Sequence, residues 1–164
     1  MTASETSIRL GFFFGVFFVV AVCEILAPRR PLSTSKAARW GANLVIVGLN
    51  PLSVRALFPI LPVAMAHLTV EQQWGLFSHL PLPYGLEVVL GILALDLTIY
   101  LQHVLHHAVP ALWRLHMVHH ADLDYDVTTG LRFHPLEIVV SMGIKLSMVA
   151  ALGPPPLAVL IFEV

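Results

Sequence analysis

Apolar residues fall into four long runs along this chain, and polar residues crowd the gaps between them. The first run, from about Ile8 to Leu26, reads IRLGFFFGVFFVVAVCEIL. The second covers roughly Trp40 to Ala66 and is broken by Pro51, Pro59 and Pro62. The third spans about Tyr84 to His107. The fourth starts near Glu137 and reaches Val164, interrupted by Gly153-Pro154-Pro155-Pro156. A helix crosses a bilayer with about 20 apolar residues, so each run is long enough to span. Proline removes a helix donor and clashes with the preceding turn. The second run therefore predicts one kinked span or two half-depth segments. The fourth predicts one span, a re-entrant hairpin or two short helices. The expected fold class is an all-α integral membrane helical bundle with about four apolar segments. The first run reads as a retained helix, since only Arg9 lies on its N-terminal side and no small-x-small cleavage site precedes Pro28.

Composition agrees. Of 164 residues, 57% are hydrophobic and 12% charged, against about 45–50% and about 25% in soluble domains. Nine Lys and Arg against ten Asp and Glu leave a net charge of -1. That excludes a disordered chain and a nucleic-acid binder, which needs a basic surface. The lone cysteine, Cys23, lies in the first apolar run and reads as a buried, inert thiol. Loop charge gives an orientation. Arg29, Arg30, Lys36 and Arg39 fall between the first two runs, the loop from His67 to Pro83 has no Lys or Arg, and Arg114 and Arg132 follow the third run. By the positive-inside rule the N-terminus lies outside and the segment after the third run faces the cytoplasm.

Histidine carries the chemistry. Six of the nine histidines lie between His103 and His120, and ionisable residues at a membrane span mark function. Asp96, Tyr100, His103 and His107 stand at i, i+4, i+7 and i+11, on one face of a helix that is otherwise Leu, Ile, Val and Ala. His103 and His107 are one turn apart and can converge on a metal ion. Nine residues after His107 comes His116-Met117-Val118-His119-His120, an HxxHH pattern that again shares one helical face. Pro110, in the short connection between the two groups, suits a turn or a helix start. Two helices joined so tightly turn their imidazoles toward each other at the membrane edge. An all-imidazole shell suits Zn, Cu, Fe or Ni, and more than four histidines suggest two ions. Asp96, with Tyr100 on the same stripe, is a candidate to orient an imidazole by accepting its second N–H. His106 lies off the shared face, and His67 and His79 read as ordinary loop residues on the opposite side of the membrane.

The run Asp96-x3-Tyr100-x2-His103-x3-His107-x2-Pro110-x-Leu112-Trp113-Arg114-x-His116-x2-His119-His120 resembles the fatty acid hydroxylase/sterol desaturase superfamily of membrane di-iron oxygenases. The continuation, Tyr125-Asp126-Val127-Thr128-Thr129 and Arg132-Phe133-His134-Pro135-Leu136-Glu137, also resembles the segment after HxxHH in that family. The whole chain, 1–164, reads as one membrane domain whose densest likeness runs from 96 to 137. The resemblance implies an oxidoreductase that uses two iron ions and O2 to hydroxylate or desaturate a C–H bond of a lipid. It implies a separate electron donor, a membrane setting and no nucleic-acid partner. It implies His103 and His107 as iron ligands from a first histidine box, with His116, His119 and His120 from a second. His134 is a further ligand candidate, its alternative being a hydrogen bond that stabilises the turn at Pro135. Family members carry a third box ending in adjacent histidines, whereas no histidine follows His134 here. The expectation is thus a C-terminally truncated member with an incomplete di-iron site. The alternative function is a His-rich membrane protein that binds or transports one metal ion without oxygen chemistry.

Overall fold

A computed structural model describes residues 3–164, with side chains from Thr6 onward. Among these residues there are seven α-helices and no strand. They are α1 (Ala3–Leu26), α2 (Lys36–Leu57), α3 (Pro62–Glu71), α4 (Tyr84–Ala108), α5 (Pro110–His120), α6 (Pro135–Leu152) and α7 (Pro156–Glu163). Four stretches are long and apolar enough to cross a membrane: Thr6–Leu26, Lys36–Glu71, Tyr84–Ala108 and Pro135–Leu152.

Proline sets the breaks, though not at every proline. The second run passes through Pro51 without ending and breaks between Leu57 and Pro62, where Pro62 takes the first turn of α3. A first-turn proline loses nothing, because its N–H would be unpaired anyway. Helix α3 then runs on to Glu71, so His67, expected in a loop, is helical. The fourth run becomes two helices. Gly153 ends α6 in a left-handed conformation (φ +63°), and Pro156 opens α7.

By internal packing the chain falls into two units. Of the described residues, the first comprises 3–9, 58–104 and 140–164, and the second 10–57 and 105–139. In the first unit α3 packs on α7. Val63, Ala66, Leu95, Val149 and Val159 form its buried centre, flanked by Met65, Met148, Leu160 and Phe162. Three of its charged groups are paired. Glu163 accepts from Lys145 at 3.0 Å and meets Arg9 at 3.0 Å, as charges in apolar helices must. The loop before α4 crosses the end of α6 at backbone contact, with Leu76 N–H donating to Ala151 O at 2.9 Å. In the second unit Phe17 of α1 lies against Trp40 of α2, ring centroids 5.9 Å apart.

Large apolar side chains on the helix flanks stay uncovered by protein, with Phe12, Phe14 and Phe18 of α1 57–68% exposed. Cys23 is exposed in the same way and not buried in a protein core. Apolar patches of this size call for a bilayer or a partner.

A Cβ on Gly75 (φ +89°) would collide with the Gly153 backbone, and one on Gly153 with the Trp74 carbonyl. Gly75→Ala and Gly153→Ala should each destabilise by more than ~1 kcal/mol. Gly11→Ala, inside α1 where nothing lies within 4 Å, should leave stability unchanged or slightly raised. Thermal unfolding in detergent checks this, and unchanged midpoints for both glycine variants would contradict the crossing.

Candidate metal centre

Helix α4 carries the first histidine group and α5 the second. One residue separates the helices. Val109 is extended (φ -99°, ψ 118°) and Pro110 takes the first position of α5, so the chain turns sharply with no loop to spare. His107 on the last turn of α4 thereby meets His116 and His120 on successive turns of α5. The three ring centroids lie 4.8 Å apart pairwise, with interplanar angles of 69–81°. His103 stands one turn before His107 on the same unbroken helix. One ring nitrogen from each of His103, His107, His116 and His120 lies within 4.8 Å of all the others.

These donors fit a metal ion. Metal–imidazole bonds of about 2.1 Å place donor nitrogens about 3–4 Å apart around a single centre. The Nε2 atoms of His116 and His120 are 3.1 Å apart. His116 is buried (1% exposed) and its orientation is fixed from behind, since its Nδ1 donates to Glu137 Oε1 at 2.7 Å. That bond places the proton on Nδ1 and aims the Nε2 lone pair at the cluster. Trp113 lies beside both His107 (5.3 Å) and His120 (5.7 Å). His103, His107 and His120 are exposed, so one side of the cluster is open.

The remaining sequence-derived candidates are not among these four donors. His119 stands outside the four-donor group and stacks flat on Phe133, centroids 4.5 Å apart and planes 6° apart. Its ring bonds to the backbone of Arg132, while its buried Nδ1 has no hydrogen-bond partner among the described residues. Burial, then the neighbouring His120 and His116, hold this imidazole below its usual pKa and favour the neutral form that ligates. His134 Nδ1 accepts the Leu136 N–H at 3.1 Å, bracing the turn into α6. His106 is buried beside His116, ring centroids 5.5 Å apart. Asp96 and Tyr100 are exposed on α4, and Asp96 lies about 10 Å of helix rise before His103. Glu137 is a carboxylate bonded to an imidazole, that of His116. Sequence reading placed it in the RFHPLE segment without a role, and its signal there was an acid in the first turn of an apolar helix.

Behind α5 the chain from 122 to 129 is tied to the helices before it. Arg39 of α2 forks onto Asp122, Nε to Oδ1 at 2.7 Å and Nη2 to Oδ2 at 3.0 Å, and reaches Asp126 with Nη1 at 3.1 Å. Asn43 and Thr129 also donate to Asp122, at 3.2 and 2.7 Å. Trp40 Nε1 donates to Asp126 at 2.9 Å. Asp124 receives the backbone N–H and hydroxyl groups of Ser33 and Thr34 at 2.8–3.0 Å, and Glu24 of α1 accepts the Val127 N–H. For Asp124, the Ser33 N–H is the largest influence, and the donor ring carries its pKa well below the carboxylate range. Burial alone would raise Asp122 and Asp126. The bonds from Arg39, Thr129 and Asn43 outweigh it for Asp122, and those from Thr128 and Trp40 for Asp126, so both are lowered.

Span-length apolar helices and a histidine-built centre at the α4–α5 junction define a membrane-type helical protein with a candidate metal site. The sequence pattern of the fatty acid hydroxylase family matches residues 88–164. The matched part takes in His103, His107, His116, His119, His120, His134 and Glu137. No curated protein and no solved structure matches the chain.

Two outcomes follow. Glu137→Ala should weaken divalent-metal binding about 10–100-fold and Glu137→Gln by less, in a Co(II) titration of the purified protein. Equal affinity in all three proteins would contradict the role of Glu137. The acid network titrates with a defined sign. Because the folded pKa values of Asp122 and Asp126 are lowered, their contribution is fully present above about pH 4. It is lost as pH falls through the lowered values. The emission of Trp40, isolated by comparison with Trp40→Phe, should therefore be flat from pH 7 to about 4 and change below. A shift between pH 7 and 5 would contradict this.

Proposed function

We propose that this chain is an iron- and O2-dependent oxidoreductase that hydroxylates or desaturates a C–H bond of a membrane lipid. The observation that carries this reading is the coincidence of the family match at 88–164 with four imidazole donors converging inside it. Bound iron would supply O2 activation and attack on an unactivated C–H bond. His103, His107, His116 and His120 would hold one ion. Glu137 keeps the proton on His116 Nδ1, and Trp113 covers one flank of the rings. A second iron of a di-iron centre would draw on His119, through its buried Nδ1, and on His134.

The exposed side of the cluster leaves room for a substrate chain and for O2. Asp96 and Tyr100, on the same stripe of α4, line the approach from within the span. An apolar helix surface around the site favours a lipid substrate, whether a fatty acid, a sterol or a related molecule. Electrons would come from a separate donor. In this reading the histidines face the cytoplasm. Arg29, Arg30 and Lys36 support that orientation, while Arg39 is engaged by Asp122 and Asp126 and counts less as a loop charge.

The runner-up is a single-ion metal binder without oxygen chemistry, favoured by the fact that the four-donor group suits one centre. Iron analysis separates the readings. Purified from iron-supplemented cells, the protein should carry iron, and His107→Ala should lose it while still inserting into membranes. Changing His116, His119 and His120 together to Ala should do the same. Membranes given O2 and a reductant should convert a lipid with the native protein and not with the variants. Iron bound without turnover selects the single-ion reading, and full iron in His107→Ala contradicts both.

A further inference from the structure

We propose that Arg39 is a positioning residue for the metal centre, an inference that rests on the reading of the histidines as metal ligands. Arg39 lies in α2, outside the family-matched residues 88–164, and its guanidinium bonds to Asp122 and Asp126. Its connection to the site runs through Asp122. Helix α5 ends at His120, Ala121 is its C-cap, and Asp122 is the next residue.

A short helix frays at its end unless something holds it, and this end carries His119 and His120. Asp122 is held on both carboxylate oxygens, by the fork of Arg39 and by Asn43 and Thr129. The pair is enclosed, with the side chains of Arg39 and Asp122 9% and 2% exposed. A buried bidentate guanidinium–carboxylate pair fixes both position and angle. The third nitrogen of the same guanidinium grips Asp126, so one side chain clamps the start and the middle of the segment leading from the HxxHH helix toward α6. Lysine, a point charge on a flexible stem, cannot make both arms of this fork.

The consequence is a division of labour. Glu137 orients His116 from behind, and Arg39 holds the end of α5 so that His120 stays within reach of His116 and His107. The residues before the family-matched part thus take part in shaping the centre, besides any role as membrane anchors.

The test uses the full chain in detergent micelles and Co(II) as the probe. Co(II) affinity and the visible ligand-field spectrum are measured for wild type, Arg39→Ala, Arg39→Lys, Asp122→Asn and Arg29→Ala, the last removing an exposed charge. Helix content and melting midpoint are recorded for each. Arg39→Ala should lose about 10–100-fold in Co(II) affinity, the range of metal-supporting contacts, with an altered ligand-field spectrum. Arg39→Lys should recover part of the loss, and Arg29→Ala should match wild type. Arg39→Ala combined with Asp122→Asn should cost no more than the larger single change, because both act through one pair. If Arg39→Ala does not fold, Arg39→Lys carries the test with an affinity at least about 3-fold below wild type.

A folded Arg39→Ala or Arg39→Lys with a lowered melting midpoint but wild-type Co(II) affinity and spectrum overturns the proposal, leaving Arg39 a purely structural residue. Failure of the wild-type protein to bind Co(II) overturns the metal reading and this inference together. Wild-type binding with unaffected Arg39 variants overturns this inference alone.

Discussion

The site depends on the junction at Val109. An extended residue followed by a proline at the first helical position ends α4 and starts α5 within one step. With so little chain between them, the last turn of α4 and the second and third turns of α5 have to meet. Histidines placed three or four residues apart on each helix then fall on facing surfaces. A longer connection would let the two groups separate, and two clusters of paired imidazoles would remain where one centre now forms.

Imidazoles brought together in this way are neither ordered nor correctly protonated by proximity alone. Glu137 supplies the order for His116, and the flat stack on Phe133 supplies it for His119. Arg39, Asn43 and Trp40 on Asp122 and Asp126, with Ser33 and Thr34 on Asp124, hold the chain that leaves α5. Each of these polar groups would be expensive in an apolar setting if left alone. Each finds its partner on another element, which explains why α2, otherwise built to span, keeps Arg39, Trp40 and Asn43 near its start. The charge that looks out of place in the helix is the charge that fastens the histidine segment.

The architecture was legible in the sequence because apolar run length is a local property. All four span-length segments lie where the runs lie, and the breaks at Pro62 and at Gly153 to Pro156 follow from backbone chemistry. Pro51 was ambiguous, since proline inside a helix can be absorbed when the neighbouring turns hold. The convergence of His103, His107, His116 and His120 was readable for the same reason, as spacing within two adjoining helices. Pairings between distant residues were not. Glu137 lies 21 positions from His116, and Arg39 lies 83 from Asp122; no periodicity links residues so far apart. The stripe of Asp96 and Tyr100 shares the helical face of His103 and His107, whereas Glu137, bonded to His116, comes from the start of α6. His119 shares a helical face with His116, but its rotamer is set by Phe133, a contact that spacing cannot reveal.

Whether these imidazoles are metal ligands is tested most directly by X-ray absorption at the iron edge of the iron-loaded protein. The expected spectrum shows a nitrogen-dominated shell at about 2.1 Å with the outer-shell scattering of several imidazole rings. A shell of oxygen donors without imidazole scattering, or protein that retains no iron to measure, would contradict it.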